Sequence, residues 1–214
     1  MQLVVLGLNH KTVSVDIREQ FAISEESARS GLRHLDGEEG IEEAVVLSTC
    51  NRTEIYAVLK DAGAKKTLEK FFLALSGNSE AKKEYFFYFE GEACIRHLFE
   101  VASGLDSMVI GESQILNQIK TAYTMALSEK ATKTILNTLF HRAITTGKRV
   151  RTETRISYSA VSVSYAAVKL AEKILGGLDD RTAMVFGAGE AAELLVKNLM
   201  GKGLKGDCNQ PPHG

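Results

Sequence analysis

The chain has 214 residues, of which 44% are hydrophobic and 25% are charged, and its formal net charge is −1. This composition is typical of a soluble globular protein, and three cysteines are too few for a disulfide-rich scaffold. A balance of 26 basic against 27 acidic residues creates no overall field that would attract nucleic acid. No apolar run reaches the roughly 20 residues that span a membrane, and the first residues lack a signal-peptide pattern. We therefore expect a cytoplasmic protein.

Strands and helices alternate in the first part of the chain. Short apolar runs predict strands at residues 3–8, 44–48, 54–59 and 85–89. Ser24 is the predicted N-cap of a helix that ends near Leu35, because acidic residues follow it in the first turn. A second helix is predicted where apolar residues recur at helical spacing between residues 68 and 75. We predict a small α/β domain of the α+β type, with a small sheet and helices.

From residue 92 onward the apolar periodicity is helical. It predicts helices over residues 94–105, 115–126, 135–143 and 159–175. After a glycine pair, residues 182–186 predict a strand, residues 187–189 a tight turn and residues 190–200 a helix. A strand, a glycine turn and a helix in this order predict the beginning of a Rossmann-type domain.

The glycine turn and the start of its helix fit the motif G-x-G-x-x-A, which cradles the pyrophosphate of a dinucleotide. The six residues are Gly187, Ala188, Gly189, Glu190, Ala191 and Ala192. An ordinary strand–helix turn with small residues is the alternative interpretation. No further strand pattern follows in the 25 residues after Gly189. We therefore expect a truncated cofactor domain and a divergent tail after Gly206.

A cysteine lies in the loop between the second and third predicted strands. Around Cys50 the chain offers a hydroxyl, an amide and a guanidinium group, from Thr49, Asn51 and Arg52. Rigid strands on both sides would fix a nucleophile, and a nearby arginine would favour the reactive thiolate. The alternative is that Cys50 is a small buried hydrophobe. Cys94 lies on an apolar helix stripe, and we expect it in the core.

His97 lies at the edge of the same apolar stripe, where it could face a cleft or be a satisfied surface histidine. A run of polar residues follows it and supplies donors and acceptors for a polar small molecule. This run contains Asp106, Ser107, Glu112, Ser113, Gln114 and Gln118. No spacing of His, Cys and Asp resembles a zinc site, so we predict no metal.

Basic residues are concentrated between Glu129 and Arg155, in an otherwise acidic chain. Seven basic residues stand there against two acidic ones: Lys130, Lys133, Arg142, Lys148, Arg149, Arg151 and Arg155 against Glu129 and Glu153. Such a helical segment could meet a polyanion, and the alternative is a solvated helix face. If the polyanion is RNA, neutralising Arg149 and Arg151 should weaken a salt-sensitive interaction.

Several of these motifs together resemble the family of glutamyl-tRNA reductases, between about residues 3 and 203. The segments that carry the resemblance are GLNHK (7–11), STCNRTEIY (48–56), HLFEVASGLDSM (97–108), GESQIL (111–116), SVSYAAV (162–168) and GAG (187–189). The resemblance implies an NADPH-dependent oxidoreductase that reduces glutamyl-tRNA to glutamate 1-semialdehyde through a cysteine thioester. This reaction is the first step of five-carbon tetrapyrrole (porphyrin) biosynthesis.

The resemblance also implies roles for the candidate residues. Cys50 would be the nucleophile, and His97 would assist near the reacting ester. The glutamyl group would be held by Thr49, Asn51, Arg52, Ser107, Glu112, Ser113, Gln114 and Gln118. The residues from Gly187 to Ala192 would cradle the NADPH phosphates.

Three further expectations follow from the resemblance. Residues 1–157 would form the catalytic, glutamyl-tRNA-binding domain and residues 158–206 a truncated NADPH-binding Rossmann domain, followed by the tail 207–214. The family's homodimerisation region would be absent, and glutamate-1-semialdehyde aminotransferase is a further possible partner. Two alternatives stay open: a nicotinamide-dependent oxidoreductase acting on a free small molecule, and a non-enzymatic RNA-binding module.

Overall fold

The computed structural model describes residues 1–78, 81–112, 114–154, 156, 163–179, 181–187, 190–202 and 204. The chain divides into two compact units, Met1–Ser159 and Ala160–Gly214.

The first unit is built on a four-stranded antiparallel sheet. Its strands are β1 (Gln2–Asn9), β2 (Ile41–Ser48), β3 (Arg52–Leu59) and β4 (Phe87–Glu90), in the order β2-β3-β1-β4. Its helices are α1 (Val15–Gln20), α2 (Glu25–Arg33), α3 (Lys65–Ser76), α4 (Glu92–Ser103), α5 (Gln114–Ser128) and α6 (Thr134–Glu153). The second unit contains α7 (Val163–Leu175) and α8 (Glu190–Met200).

The two faces of the sheet pack against different helices, because side chains alternate along a strand. On one face, Leu6 of β1 and Phe72 of α3 line the same cavity of about 570 Å³. On the other face, the Tyr56 ring of β3 packs edge-on against Phe140 of α6, with ring centroids 5.4 Å apart. Residues 52, 54 and 56 of β3 therefore point toward the helices that follow β4.

A buried carboxylate attaches α6 to the sheet. Glu43 of β2 is 3% exposed. Its two oxygens accept backbone N–H hydrogen bonds from Lys133, Ile135 and Leu136, at 2.7, 3.1 and 2.9 Å. These N–H groups lie at the helix N-terminus, where they have no intrahelical partner and where a negative charge is favourable. The contact fixes the start of the helix that carries the basic residues.

The predicted mixture of a small sheet and helices is confirmed. The predicted N-cap is also confirmed, since the Ser24 hydroxyl accepts a hydrogen bond from the Ser27 N–H at 3.1 Å. Helix α1 was not predicted, because its six residues are too few to show a helical period. Among the described residues, no helix is long and apolar enough to cross a membrane.

The strand predicted at residues 182–186 is wrong. Residues 181–187 are described and form no strand. A strand requires a hydrogen-bonded neighbour, and the described part of the second unit contains only the helices α7 and α8. Met184 and Phe186 are 78% and 89% exposed. Of the helix predicted from residue 159, residues 159–162 lie outside the described residues.

Candidate active site

Cys50 lies at the tip of the hairpin that joins β2 to β3, and its side chain is exposed. Thr49 builds this turn: its N–H donates to the Arg52 carbonyl at 2.8 Å, and its hydroxyl accepts the N–H groups of Asn51 and Arg52 at 3.2 Å. The turn therefore presents the thiol to solvent from two rigid strands. The alternative of a buried thiol at Cys50 is wrong, whereas Cys94 is fully buried as predicted, and burial raises its pKa to about 12.

Two residues outside the hairpin hold its tip in place. The His10 N–H donates to the Asn51 carbonyl at 3.0 Å. Arg18 of α1, which is 9% exposed, donates through Nε to the Cys50 carbonyl at 3.3 Å and through Nη1 to the Val13 carbonyl at 2.9 Å. The position of the thiol thus depends on contacts from β1 and α1 that no local motif around Cys50 reveals.

A buried ion network lies directly behind the hairpin. The Arg52 guanidinium is 1% exposed, and its Nη1 is 2.7 Å from Glu54 Oε1 and 3.0 Å from Asp106 Oδ2. Its Nη2 donates to the Asp106 carbonyl at 2.6 Å. Lys11 pairs with the other oxygen of Asp106 from the surface. The Arg52 charge is therefore already shared by two carboxylates.

The network keeps its carboxylates ionised. Burial alone would raise the pKa of Glu54, but the Arg52 charge and the hydrogen bonds from His97 and Tyr56 outweigh it and lower the pKa to about 2. Burial also opposes ionisation of Asp106, and the contacts with Lys11 and Arg52 lower its pKa. Burial and the adjacent Arg52 charge lower the pKa of His10, which favours a neutral ring beside the site.

Glu54 also orients His97. His97 is 7% exposed, so the interpretation as a surface histidine is wrong. Its Nε2 lies 3.0 Å from Glu54 Oε1, and its ring packs against Phe87 and Phe89 at centroid distances of 5.0 and 5.3 Å. Because Glu54 is ionised at neutral pH, Nε2 must be the donor. A neutral ring in this tautomer accepts through Nδ1.

The contacts bring some predicted site residues together and leave others untested. Ser107 adjoins Asp106 and is therefore next to Arg52. Its hydroxyl is buried and has no hydrogen-bond partner within the described part of the chain. Glu112 lies at the far end of the same loop, and Gln114 and Gln118 are half-buried residues one turn apart on α5. Ser113 lies outside the described residues.

Glu54, Tyr56, His10 and Arg18 were not predicted as site residues. A signal for Glu54 was present: it is a charged residue at an inward position directly before the hydrophobic run 55–59, and buried charges are almost always paired. No comparable signal marks His10 or Arg18, because their contacts form only in the folded chain.

The described residues fit a dinucleotide site only in part. Gly187 has φ +118°, a conformation that favours glycine, and α8 begins three residues later at Glu190. This agrees with an anion-binding turn at a helix N-terminus. The strand that should precede the turn is missing from the described residues, however, and Ala188 and Gly189 lie outside them. The described residues also contain no group of three or more His, Cys, Asp or Glu that could hold a metal.

Comparison with known proteins finds relatives that match almost the whole chain. Residues 6–154 match the family model "Glutamyl-tRNAGlu reductase, N-terminal domain". The chain is 50% identical over 208 residues to the glutamyl-tRNA reductase of Geobacter metallireducens, covering 96% of this chain and 48% of that protein. The relative from Heliobacterium mobile is 48% identical over 206 residues, covering 95% of this chain and 46% of that protein.

A solved structure is also similar, that of glutamyl-tRNA reductase from Methanopyrus kandleri. The TM-score is 0.66 at 38% sequence identity, and the match covers 94% of this chain and 47% of the other. The chain thus spans about half the length of the relatives it matches.

Proposed function

Because this chain belongs to the glutamyl-tRNA reductase family, we propose that its first unit transfers the glutamyl group of glutamyl-tRNA to Cys50 as a thioester. The observation that carries the proposal is the exposed Cys50 thiol at the tip of a hairpin braced by His10 and Arg18. A nucleophile held by rigid elements needs little reorganisation to reach a bound ester.

The proposed acyl transfer forms one bond, breaks one bond and moves one proton. The sulfur of Cys50 attacks the ester carbonyl carbon, a C–S bond forms, and the C–O bond to the terminal ribose of the tRNA breaks. The leaving ribose oxygen takes up the proton that the thiol gives up. We assign His97 to this proton movement, because its Nε2 is occupied by Glu54 and its Nδ1 is the ring nitrogen left for the substrate side.

The glutamyl group would occupy the space beside the hairpin and the loop after α4. The buried Ser107 hydroxyl, which has no partner among the described residues, is suited to bind a polar group of the substrate. Thr49, Asn51, Arg52, Glu112, Ser113, Gln114 and Gln118 complete the proposed pocket.

The wider proposal follows the family. Residues 1–157 would be the catalytic domain and residues 158–206 the NADPH-binding part of a cytoplasmic enzyme of tetrapyrrole synthesis. The hydride that releases glutamate 1-semialdehyde from the thioester would come from NADPH. Since the described residues fit that cofactor only in part, the chemistry proposed for this chain ends at the thioester.

A single-turnover experiment tests the acyl transfer. The chain is mixed with glutamyl-tRNA carrying labelled glutamate, and protein-bound label that hydroxylamine releases is counted. We expect label on the wild type and on Cys94→Ala, the matched control for loss of one thiol. We expect none on Cys50→Ser, whose hydroxyl is a much weaker nucleophile. Label retained by Cys50→Ser, or no label on the folded wild type, would contradict the proposal.

A further inference from the structure

Arg151 makes contacts unlike those of a phosphate-binding arginine. It is half-buried in the last turn of α6, and its Nη1 donates to the carbonyls of Ala102 and Gly147 at 2.8 and 3.0 Å. Its Nη2 donates to the carbonyl of Glu112 at 2.9 Å. The side chain of Arg149, by contrast, is 68% exposed and pairs with Glu153 one turn away at 3.1 Å. The sequence-based prediction that neutralising Arg149 and Arg151 weakens RNA binding therefore concerns two arginines with different surroundings.

Two of the carbonyls that Arg151 binds, those of Ala102 and Glu112, lie at the two ends of one loop, residues 104–112, and the third, that of Gly147, belongs to α6 itself. Ala102 belongs to the last turn of α4, whose carbonyls lack helical partners. The loop closes on itself, since the Gly111 N–H donates to the Gly104 carbonyl at 2.9 Å, with both glycines at positive φ. A Cβ on Gly111 would lie 2.3 Å from the Ile156 carbonyl oxygen. A side chain at position 111 would therefore clash with the backbone of Ile156.

Two arginines from different elements hold this loop. Arg52 binds the Asp106 backbone and carboxylate inside it, and Arg151 binds its ends. Ser107 and Glu112, two of the proposed glutamyl-binding residues, lie in the segment that the two arginines hold.

We propose that Arg151 is a positioning residue, which fixes loop 104–112 for glutamyl binding and makes no contact with tRNA phosphate. The inference rests on the proposed function for its link to the glutamyl group. A planar guanidinium reaches three carbonyls at once, whereas a lysine ammonium is a single point charge on a flexible stem. A lysine at position 151 would keep the positive charge but would not replace the three hydrogen bonds of Arg151.

The test compares Arg151→Gln and Arg151→Lys with Arg149→Gln in the whole chain. The first readout is hydrogen exchange at the loop, including the Gly111 amide. The second is the salt dependence of tRNA binding, and the third is the rate of Cys50 acylation at saturating glutamyl-tRNA. Arg33→Gln, an exposed arginine paired with Glu129 far from this loop in the sequence, is the control for loss of one surface charge.

We expect both Arg151 variants to exchange the loop amides about 10-fold faster and to acylate Cys50 about 10-fold more slowly, as loss of a charge-assisted hydrogen bond implies. Their plots of log binding constant against log salt should keep the wild-type slope. Arg149→Gln should lower the magnitude of that slope by about one, as loss of a phosphate contact does, with the exchange unchanged.

The proposal is overturned if Arg151→Gln lowers the slope by about one while loop exchange stays at the wild-type rate, or if Arg151→Lys restores both exchange and acylation. If Arg151→Gln does not fold, as circular dichroism would show, Arg151→Lys alone decides. If the wild type takes up no label, the proposed function fails, and exchange and salt dependence still decide whether Arg151 holds the loop.

Discussion

The two faces of the sheet are both buried, but only one of them holds a network of ion pairs. The face toward α3 carries aliphatic residues such as Leu6 and Ile55, which are 4% and 0% exposed. The other face carries Arg52 and Glu54, which are 1% and 0% exposed, in a network with His97 and Asp106. Burying apolar side chains stabilises a fold directly, whereas a buried ion pair loses about as much solvation as it gains in attraction.

The charged face also has space for the Glu54 side chain. Gly7 pairs with Glu54 across the strands, and a Cβ on Gly7 would lie 2.8 Å from Glu54 Cγ. The absence of a side chain at Gly7 therefore makes space for Glu54. The difference between the faces indicates that the ion network serves to orient His97 and the loop at Asp106, whereas apolar burial supplies stability.

Removal of the central carboxylate should have the largest effect. Glu54→Ala leaves Arg52 buried with Asp106 as its remaining carboxylate, and we expect a loss of about 3–5 kcal/mol in the free energy of unfolding. Urea denaturation followed by circular dichroism measures it. The single variants Arg52→Met and Glu54→Gln and their double variant form a second test. The double variant should lose at least about 1 kcal/mol less than the sum of these two single losses, because neither of the two charges is then left without the other. Strict additivity would contradict a coupled network.

Acid should lower the free energy of unfolding by protonating the carboxylates of the charged face. The pKa of Glu54 is about 2 when folded, below the ordinary value of 4.5. Its contribution is therefore present above pH 4.5 and is lost as the pH falls toward 2, a change of about 3 kcal/mol. Asp106, whose pKa is also lowered, acts in the same direction.

Urea denaturation at several pH values between 6 and 2 checks this dependence. Glu54→Gln should show a markedly flatter decline than the wild type. Ile55→Val, on the adjacent residue of the apolar face, should lose about 0.5–1.5 kcal/mol at every pH and keep the wild-type decline. If the wild type and Glu54→Gln lose stability equally as the pH falls, Glu54 is not the source of the acid dependence.

Local signals in the sequence were sufficient for the four strands and for most helices of the first unit, and they placed Cys50 in the loop between two strands. Apolar runs predicted the four strands, and the Ser24 cap predicted the start of α2. The role of Arg52 was not predictable, because its partner Asp106 is 54 residues away in the chain. The same holds for Arg151, whose acceptors are backbone carbonyls, which carry no sequence signature. The strand at 182–186 was predicted from its apolar residues, but a strand also requires a partner that composition does not reveal.

Removal of the Tyr56 hydroxyl should have an intermediate effect on the free energy of unfolding. Tyr56 is fully buried and donates to Glu54 Oε2 at 2.7 Å. Tyr56→Phe keeps the ring packing but leaves a buried carboxylate oxygen without this donor, so we expect a loss of about 1.5–3 kcal/mol. Tyr123→Phe is the matched control, since its hydroxyl donates to the neutral Asn137 side chain at 3.1 Å, and it should lose about 0.5–1.5 kcal/mol. Equal losses would mean that the charge of Glu54 adds nothing to the hydrogen bond.

The smallest effect is expected at the rim of the network. The Lys11 side chain is 58% exposed, and Arg52 holds Asp106 from the interior. We therefore expect Lys11→Gln to lose less than about 1 kcal/mol, and the loss should shrink further in 1 M salt because exposed charges are screened. Urea denaturation at low and high salt measures both. If Lys11→Gln costs as much as Tyr56→Phe and salt leaves that cost unchanged, Asp106 is held from the surface, and the charged face does not owe its geometry to its buried interior.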